Sequence, residues 1–491
     1  MTDAVTQKAS QQPRSMDSRR RRLIKGIAAA AGAGMASAYL PSSSAADGSN
    51  TADDFDDIQH IVVVMMENRS FDHMMSWVPG AEVPDGIRLF PTEAGELIQS
   101  YPLLDTQNFE VGDPPHGYWS GRVCTNDGAM DGFIRSWDQY VDQDGEGEPG
   151  NTLPVGYFRR EQVPFYSACA DYFTIGDHYF TGILSSTWPN RIYMHAGQTD
   201  RLYNNQGIGG VFSQLDTIWD IARQTGVSHR YYYSDAPYTA IWGARHLSIS
   251  KPFLQFLWDA RNGQLPSFCF VDPAFIGESL GLSNDDHPMA DIRNGQAFLN
   301  SVYEALRTSP LWPNTLLVIN YDEWGGFADH VLPPMAPVCD RERTISEEGN
   351  DGQLGIRVPL VLIGPRARRN ALANNGSSVV SDQYDPNAIL NFICDRFGMP
   401  RLDVVRSATS GSLATALLPR EQADYSVPPA FDVNGYQSII LRQERVGGTA
   451  TNSGISLQQA FARGMGGHID ALRQLQAMAL DSGFELSGIR L

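Results

Sequence analysis

Cysteine is scarce in this chain: five among 491 residues, Cys124, Cys169, Cys269, Cys339 and Cys394, with no Cys-x-x-Cys pair. That excludes a zinc knuckle and a thioredoxin-type redox site. An oxidising compartment would permit at most two disulfides and leave one thiol over. No stretch offers the roughly 20 uninterrupted apolar residues of a membrane-spanning helix, so no integral membrane segment is expected in the mature chain. Positive charge is short as well, with 37 basic against 56 acidic residues and a net charge of −19. Non-specific nucleic-acid binding needs a basic footprint, so nucleic acid is not an expected partner. There is no internal repeat. What remains, 42% hydrophobic and 19% charged, suits one large globular core or two ordinary ones.

The basic residues are unevenly spread. Seven of them, including Arg20-Arg21-Arg22 and Lys25, fall in the first 46 residues. A mild Ala/Gly apolar stretch follows from Ile27 to Leu40, then Pro41, three serines and Ala45-Ala46. That order is the one expected of a twin-arginine export signal: charged segment, short apolar segment, small residues for cleavage. Residues 1–46 are therefore set aside from the fold. The twin-arginine export machinery is expected as a partner, and the periplasm or the medium as the location.

Residues 47–57 are polar and acidic, a linker. Ile58–Met66, Leu316–Tyr321 and Val358–Ile363 are short runs dense in Val, Ile and Leu. Such runs predict buried strands of the parallel kind. Gly295–Arg307 and Asn387–Phe397 carry apolar residues at helical spacing, and Gly398 and Pro400 stop the second. Strands alternating with helices predict an α/β sheet covered on both faces. Residues 200–275 are rich in Tyr, Trp, Gly and Pro without a clear βα rhythm, which predicts an irregular insertion forming one wall of the site. A catalytic domain is expected over 47–420. A helical C-terminal segment is expected from about 455, and 421–491 has no assigned role.

Polar residues bunch directly after two of the predicted strands. Glu67-Asn68-Arg69-Ser70-Phe71-Asp72-His73 follows the first, and Asp322-Glu323-Trp324-Gly325-Gly326-Phe327-Ala328-Asp329-His330 follows the second. In open α/β sheets the carboxyl ends of the strands face the ligand crevice, so Glu67, Asn68, Asp322 and Glu323 are expected to converge. Oxygen-rich donors of this kind suit a divalent cation, and Ca, Mg, Mn or Zn all fit. The glycine pair lets the backbone turn sharply beside a ligand. A third cluster, Ser185-Ser186-Thr187-Trp188-Pro189-Asn190-Arg191, predicts a helix start with Thr187 as the N-cap. A hydroxyl there sits beside free N–H groups at the positive end of a helix, a ready cradle for phosphate. It becomes a nucleophile once a metal or a base takes its proton. His116 and His287 lie in turn-like loops, from which an imidazole can protonate a leaving group. His73, Asp329 and His330 are candidates for orienting the ligands. The remaining histidines are expected to be structural.

Glu-Asn-Arg-Ser-Phe-Asp-His at 67–73, Thr-x-Pro-Asn-Arg at 187–191 and Tyr-Asp-Glu-x-Gly-Gly-x-x-Asp-His-Val at 321–331 together resemble the bacterial phosphoesterase family. That family contains phospholipases C and exported acid phosphatases. The resemblance spans about 58 to 400. It implies an α/β/α sandwich similar to alkaline phosphatase, with a metal on Glu67, Asn68, Thr187, Asp322 and Glu323. It further implies Thr187 as nucleophile, with Ser185 and Ser186 as nearby competitors, and His116 and His287 on the phosphoryl or leaving group. Threonine at the nucleophile looks like the phospholipase C branch, which implies a lipid head group as substrate, of the phosphatidylcholine type. A broad acid phosphatase acting on monoesters is the alternative, and an exported non-catalytic phosphate- or metal-binding protein a further one. Trp188 and Trp324 adjoin proposed catalytic residues and are candidates for cation–π contact with a quaternary ammonium. Two positions depart from the family pattern: Pro386 follows Tyr384-Asp385 where His is frequent, and Trp324 follows Asp322-Glu323 where His is also frequent.

Overall fold

The computed structural model describes residues 54–104, 112–144, 150–204, 212–277, 283–288, 290–370, 377–433 and 466–486. The export segment expected at 1–46 and the start of the expected C-terminal helix lie outside the described residues. A helix does run over Gly466–Asp481.

The centre is an eight-stranded sheet. Its strands in chain order are β1 (His60–Met66), β2 (Thr174–Gly176), β3 (His229–Tyr233), β4 (Ser250–Pro252), β5 (Phe268–Val271), β6 (Thr315–Tyr321), β7 (Leu360–Ile363) and β8 (Val379–Val380). The spatial order is β8-β2-β7-β6-β1-β5-β3-β4. β1 lies parallel between β6 and β5, with Met66 level with Tyr321 and Val64 level with Val271. Both central strands are mostly apolar because both of their faces are covered, with His60 in β1 and Thr315 and Asn320 in β6 as the polar exceptions. β7 departs from the expected parallel arrangement: it runs antiparallel to β6 and to β2. A run apolar on both sides records burial, which either direction satisfies, so direction was not encoded in the residues read.

The stretch 200–275 also differs from the expected insertion, since it supplies β3, β4 and β5. Aromatic side chains hid β3 and β5, and β4 is only Ser-Lys-Pro. In His-Arg-Tyr-Tyr-Tyr, Tyr231 faces one layer of helices and Tyr232 the other, so no period-two alternation is visible.

Helices cover both faces. On the side of Tyr232 and Tyr321 lie α2 (Pro164–Tyr172), α5 (Phe253–Arg261) and α6 (Ile292–Arg307). Phe256 packs edge-on against Tyr232, and Tyr166 hydrogen-bonds Tyr321. On the side of Phe268 and Phe270 lie α3 (Thr187–Ala196), α4 (Ile218–Thr225) and α7 (Pro386–Arg396), with Trp219 stacked on Phe268 and His195 against Phe270. The result is the expected three-layer α/β/α sandwich. A short helix, α1 (Phe71–Met75), leaves the end of β1. All five cysteines are free thiols, four of them buried.

Candidate active site

The pleat decides which residues meet. Side chains two apart along a strand share a face, and the registers align β6, β1 and β5. Continuing each strand one step places Asp322 level with Glu67, and Asp272 level with Met65, two residues back from Glu67 on the same face, the one that α3 covers. These three carboxylates converge on Arg191 of α3, with contacts of 3.1 Å to Asp322 Oδ2, 3.4 Å to Asp272 Oδ1 and 3.7 Å to Glu67 Oε2. Burial works against the guanidinium's charge, but the three carboxylates outweigh it and raise the Arg191 pKa. The Arg191 guanidinium also lies over the rings of Tyr238 and Phe275.

Thr187 enters the same cluster. Its Oγ1 donates to Glu67 Oε1 at 3.1 Å. The helix cap is one residue earlier than expected: Ser186 is the N-cap and Thr187 the first helical residue. The cap therefore leaves the Thr187 hydroxyl available for Glu67. The neighbouring Trp188 N–H donates to Asn204 Oδ1 at 2.9 Å. Ser185 is engaged elsewhere, its hydroxyl donating to the Leu202 carbonyl.

Asn68 adopts a left-handed backbone (φ 64°), a conformation Asn tolerates better than most residues. Its N–H donates to Asp322 Oδ1 at 3.2 Å. Its side-chain amide is fully buried, yet neither Oδ1 nor Nδ2 has a hydrogen-bond partner. Glu323 is buried too, with Oε2 accepting from the Gly325 N–H at 2.7 Å and Oε1 3.4 Å from His116 Nε2. Burial, then Asp322, and further off Asp113 and Glu67, push its carboxyl well above the usual range. Burial likewise lifts Asp322 to about 6 despite Arg191. Glu67, Asp272, Asp322 and Glu323 thus share one buried cluster with a single guanidinium, and an unpartnered amide lies among them. Buried charge of one sign at this density needs a compensating cation. The hard oxygen donors of Glu67, Asn68, Asp322, Glu323 and Thr187 fit a divalent ion.

The imidazoles arrive on loops. His116 Nδ1 lies 2.7 Å from the Pro114 carbonyl, which places the proton there and leaves Nε2 facing Glu323. His287 belongs to a loop docked on the end of β1, where the Glu67 N–H donates to the Asp285 carbonyl. Asp113 lies between the two rings, 3.5 Å from His116 Nδ1 and 3.5 Å from His287 Nε2. This Asp113–His116–His287 group has the spacing of a metal site. Gly325 and Gly326, at φ 62° and 75°, bring the β6 loop against both neighbours. A Cβ on Gly325 would lie 2.2 Å from the Asn68 carbonyl oxygen, and one on Gly326 2.5 Å from Pro114.

The orienting candidates act at one remove. His73 contacts Arg69 Nη1 at 3.0 Å, and Arg69 donates to the Asp286 carbonyl at 2.6 Å and the His287 carbonyl at 3.2 Å, holding that loop. Burial and then Arg69 hold His73 well below its usual pKa. Asp329 and His330 tie the β6 loop to α1. His330 Nδ1 meets Asp72 at 2.7 Å, and Arg357 bridges Asp72 and Asp329 at 3.0 Å each. Asp72, Asp329 and His330 also have metal-site spacing, but Arg357 already supplies positive charge there. Trp188 and Trp324 are 1% and 0% exposed and packed in side-chain clusters, Trp324 edge-on to His116. Pro386, where the family pattern has His, is the first residue of α7 and Asp385 its N-cap.

Asp113, Asp272 and Tyr238 were not singled out from the sequence; Tyr238 Oη lies 3.4 Å from Glu67 Oε1. Asp272 carried a usable signal: like Glu67 and Asp322, it directly follows an apolar strand, Phe-Cys-Phe-Val.

An α/β sandwich with oxygen donors gathered at the ends of adjacent parallel strands is one class of site. Residues 58–400 match the Phosphoesterase family, and the chain belongs to it. It is 35% identical over 333 residues to non-specific phospholipase C1 of Arabidopsis thaliana, covering 63% of this chain and 61% of that protein. It is 28% identical over 444 residues to phospholipase C B of Mycobacterium tuberculosis, covering 76% and 79%. The chain thus spans about three fifths of the length of the Arabidopsis relative. A protein in the alkaline phosphatase superfamily from Vibrio parahaemolyticus superposes loosely, with a TM-score of 0.32 and 9% identity over 64% of this chain and 82% of that one.

Proposed function

We propose that the protein is an exported, metal-dependent phosphoester hydrolase of the phospholipase C type. It cleaves phosphatidylcholine-like diesters with Thr187 as nucleophile. The observation that carries this reading is the Thr187 hydroxyl 3.1 Å from Glu67 at the start of a buried helix, beside the unpartnered Asn68 amide. The phospholipase C relatives support the substrate class. The twin-arginine pattern of residues 20–25 supports export.

A divalent ion on Glu67, Asn68, Thr187, Asp322 and Glu323 would supply Lewis-acid polarisation and lower the pKa of the hydroxyl. Glu67 Oε1 already accepts the hydrogen bond of that hydroxyl, so it takes the proton as Oγ1 attacks phosphorus. The Oγ1–P bond forms and the bond from phosphorus to the diacylglycerol oxygen breaks. The positive end of α3 would favour the negative charge that builds on the equatorial oxygens. His116 or His287, linked through Asp113, gives a proton to the departing alkoxide. Deprotonated, the same imidazole takes a proton from water as the water oxygen bonds phosphorus; the Oγ1–P bond breaks, the head-group phosphate leaves, and Glu67 returns its proton to Thr187 Oγ1. Arg191 holds Glu67 and Asp322 in place throughout.

The test is elemental analysis of the purified protein joined to two assays, phosphatidylcholine against a simple aryl phosphate. Bound divalent metal with preferred diester cleavage is expected. Preferred monoester cleavage would make it an acid phosphatase on the same site, and no turnover with metals added back would end the hydrolase reading.

A further inference from the structure

The hairpin formed by Leu89–Pro91 and Leu97–Gln99 carries apolar side chains on both faces, with exposed Gln99 opposite Leu89 on the outer one. Its register pairs Phe90 with Ile98 and Pro91 with Leu97. Phe90 and Ile98 face inward, in a cluster with Leu184 and Trp324. Leu184 lies three residues before Thr187, and Trp324 directly follows Glu323, so the hairpin is mounted on the walls of the active site. The outward face carries Leu89 at 49% and Leu97 at 57% exposure, and Ile87 continues it at 68%. A surface hairpin ordinarily presents polar side chains on that side.

The element is firmly held. Arg88 turns inward and donates to the Asp329 carbonyl at 3.2 Å and the Met130 carbonyl at 2.7 Å. At the tip, the Glu93 N–H donates to Asp138 Oδ2 at 3.0 Å. Around the apolar face stand Asp85, Glu93 and Glu96, all exposed.

We infer that this face is where the protein meets a zwitterionic phospholipid surface. The inference rests on the phospholipase reading and names the partner that reading requires. A long-chain diester lies in a bilayer, so an enzyme must seat the mouth of its site on that bilayer to reach it. Three aliphatic side chains on a rigid support beside the site provide the apolar contact. The acidic border selects the surface: it repels anionic head groups and matches the outermost ammonium of a choline head group.

The experiment uses the full-length mature protein carrying Thr187→Ala, so that binding is read without turnover. Co-flotation with phosphatidylcholine vesicles is expected, weakened when anionic lipid is added. Leu97→Ser is expected to reduce partitioning about tenfold, and Ile87→Ser/Leu89→Ser/Leu97→Ser to abolish it. On the Thr187 background, the triple variant is expected to keep its activity on dihexanoylphosphatidylcholine below its micelle concentration and lose it on vesicles. Leu97→Trp provides a second readout that keeps the fold unperturbed, a blue-shifted emission on vesicle addition. Unchanged vesicle binding in the triple variant, or an unshifted Leu97→Trp emission, overturns the inference. So does a dimer that the triple variant turns into a monomer without altered vesicle binding, which would make the occupant a second copy. Hairpin-dependent binding without activity on either substrate form would instead sink the phospholipase reading and leave the surface standing.

Discussion

At the scale of single residues, Thr187 and Arg191 divide the work of the site. Thr187 contributes a hydroxyl and little else, since Ser186 caps the helix. Thr187→Ala should therefore lower turnover by roughly 10³-fold or more while circular dichroism and melting temperature stay near wild type. Ser185→Ala should keep most activity, because that hydroxyl is committed to the Leu202 carbonyl. Arg191→Met is a different lesion: it leaves three buried carboxylates without their guanidinium. A loss of about 3–5 kcal/mol is expected in denaturant titration of metal-free protein. An intact melting profile would show that the carboxylates take up protons instead. Glu67, Asn68, Asp322 and Glu323 were visible in the sequence because they directly follow long apolar strands, and Thr187, His116 and His287 through the helix-start and turn-like patterns around them. Asp113 was hidden because, although it lies three residues from His116 in a Pro-rich loop, its approach to His287 is created only by tertiary structure.

At the scale of elements, β1 and β6 were legible because both are buried on two faces and read as mostly apolar runs. β3 and β5 were not, because their tyrosines and phenylalanines serve two helix layers at once and imitate an aromatic insertion, and β4, only Ser-Lys-Pro, is too short to show a pattern. The same region does border the site, through Tyr238 and Asp272, as the insertion reading expected. Its loops also hold Asp235, which accepts from the Ile276 N–H at 2.8 Å and which burial raises to about 7. A carboxyl with a raised folded pKa binds its proton more tightly folded than unfolded. Stability should then fall as pH rises from about 4 to about 7, by roughly 1.4 kcal/mol per unit from this group. Asp235→Asn should flatten that slope in denaturant titrations across the same window. In the loop after β6, Gly325→Ala should displace Asn68, because the added Cβ would meet the Asn68 carbonyl oxygen. Activity is expected to drop well beyond the roughly 1 kcal/mol that a strained turn costs in stability, as comparison of kcat/KM with melting temperature would show.

At the scale of the whole molecule, the strand order brings chain segments from near 67, 113, 187, 272, 287 and 322 to one end of the sheet. A cation held by Glu67, Asn68, Thr187, Asp322 and Glu323 would tie three of those segments together. Removing it with a chelator should abolish activity and lower the melting temperature, and adding back the divalent ion found by elemental analysis should restore both. Retained activity after complete removal of metal would refute the ion's role. The overall α/β/α layering was readable from strand–helix alternation, whereas strand direction at β7 was not, since burial alone does not specify it.

The adjacency of β1 and β6 has a temporal consequence. The two central strands pair residue for residue, yet 254 positions separate Asn68 from Asp322 along the polymer. During synthesis the first strand must wait, without its neighbour, until about two thirds of the chain has left the ribosome. Non-local pairing of this kind is slow to form. The nascent polypeptide therefore stays chemically inert for most of its elongation, and its reactive centre comes into being late, in a single closing event.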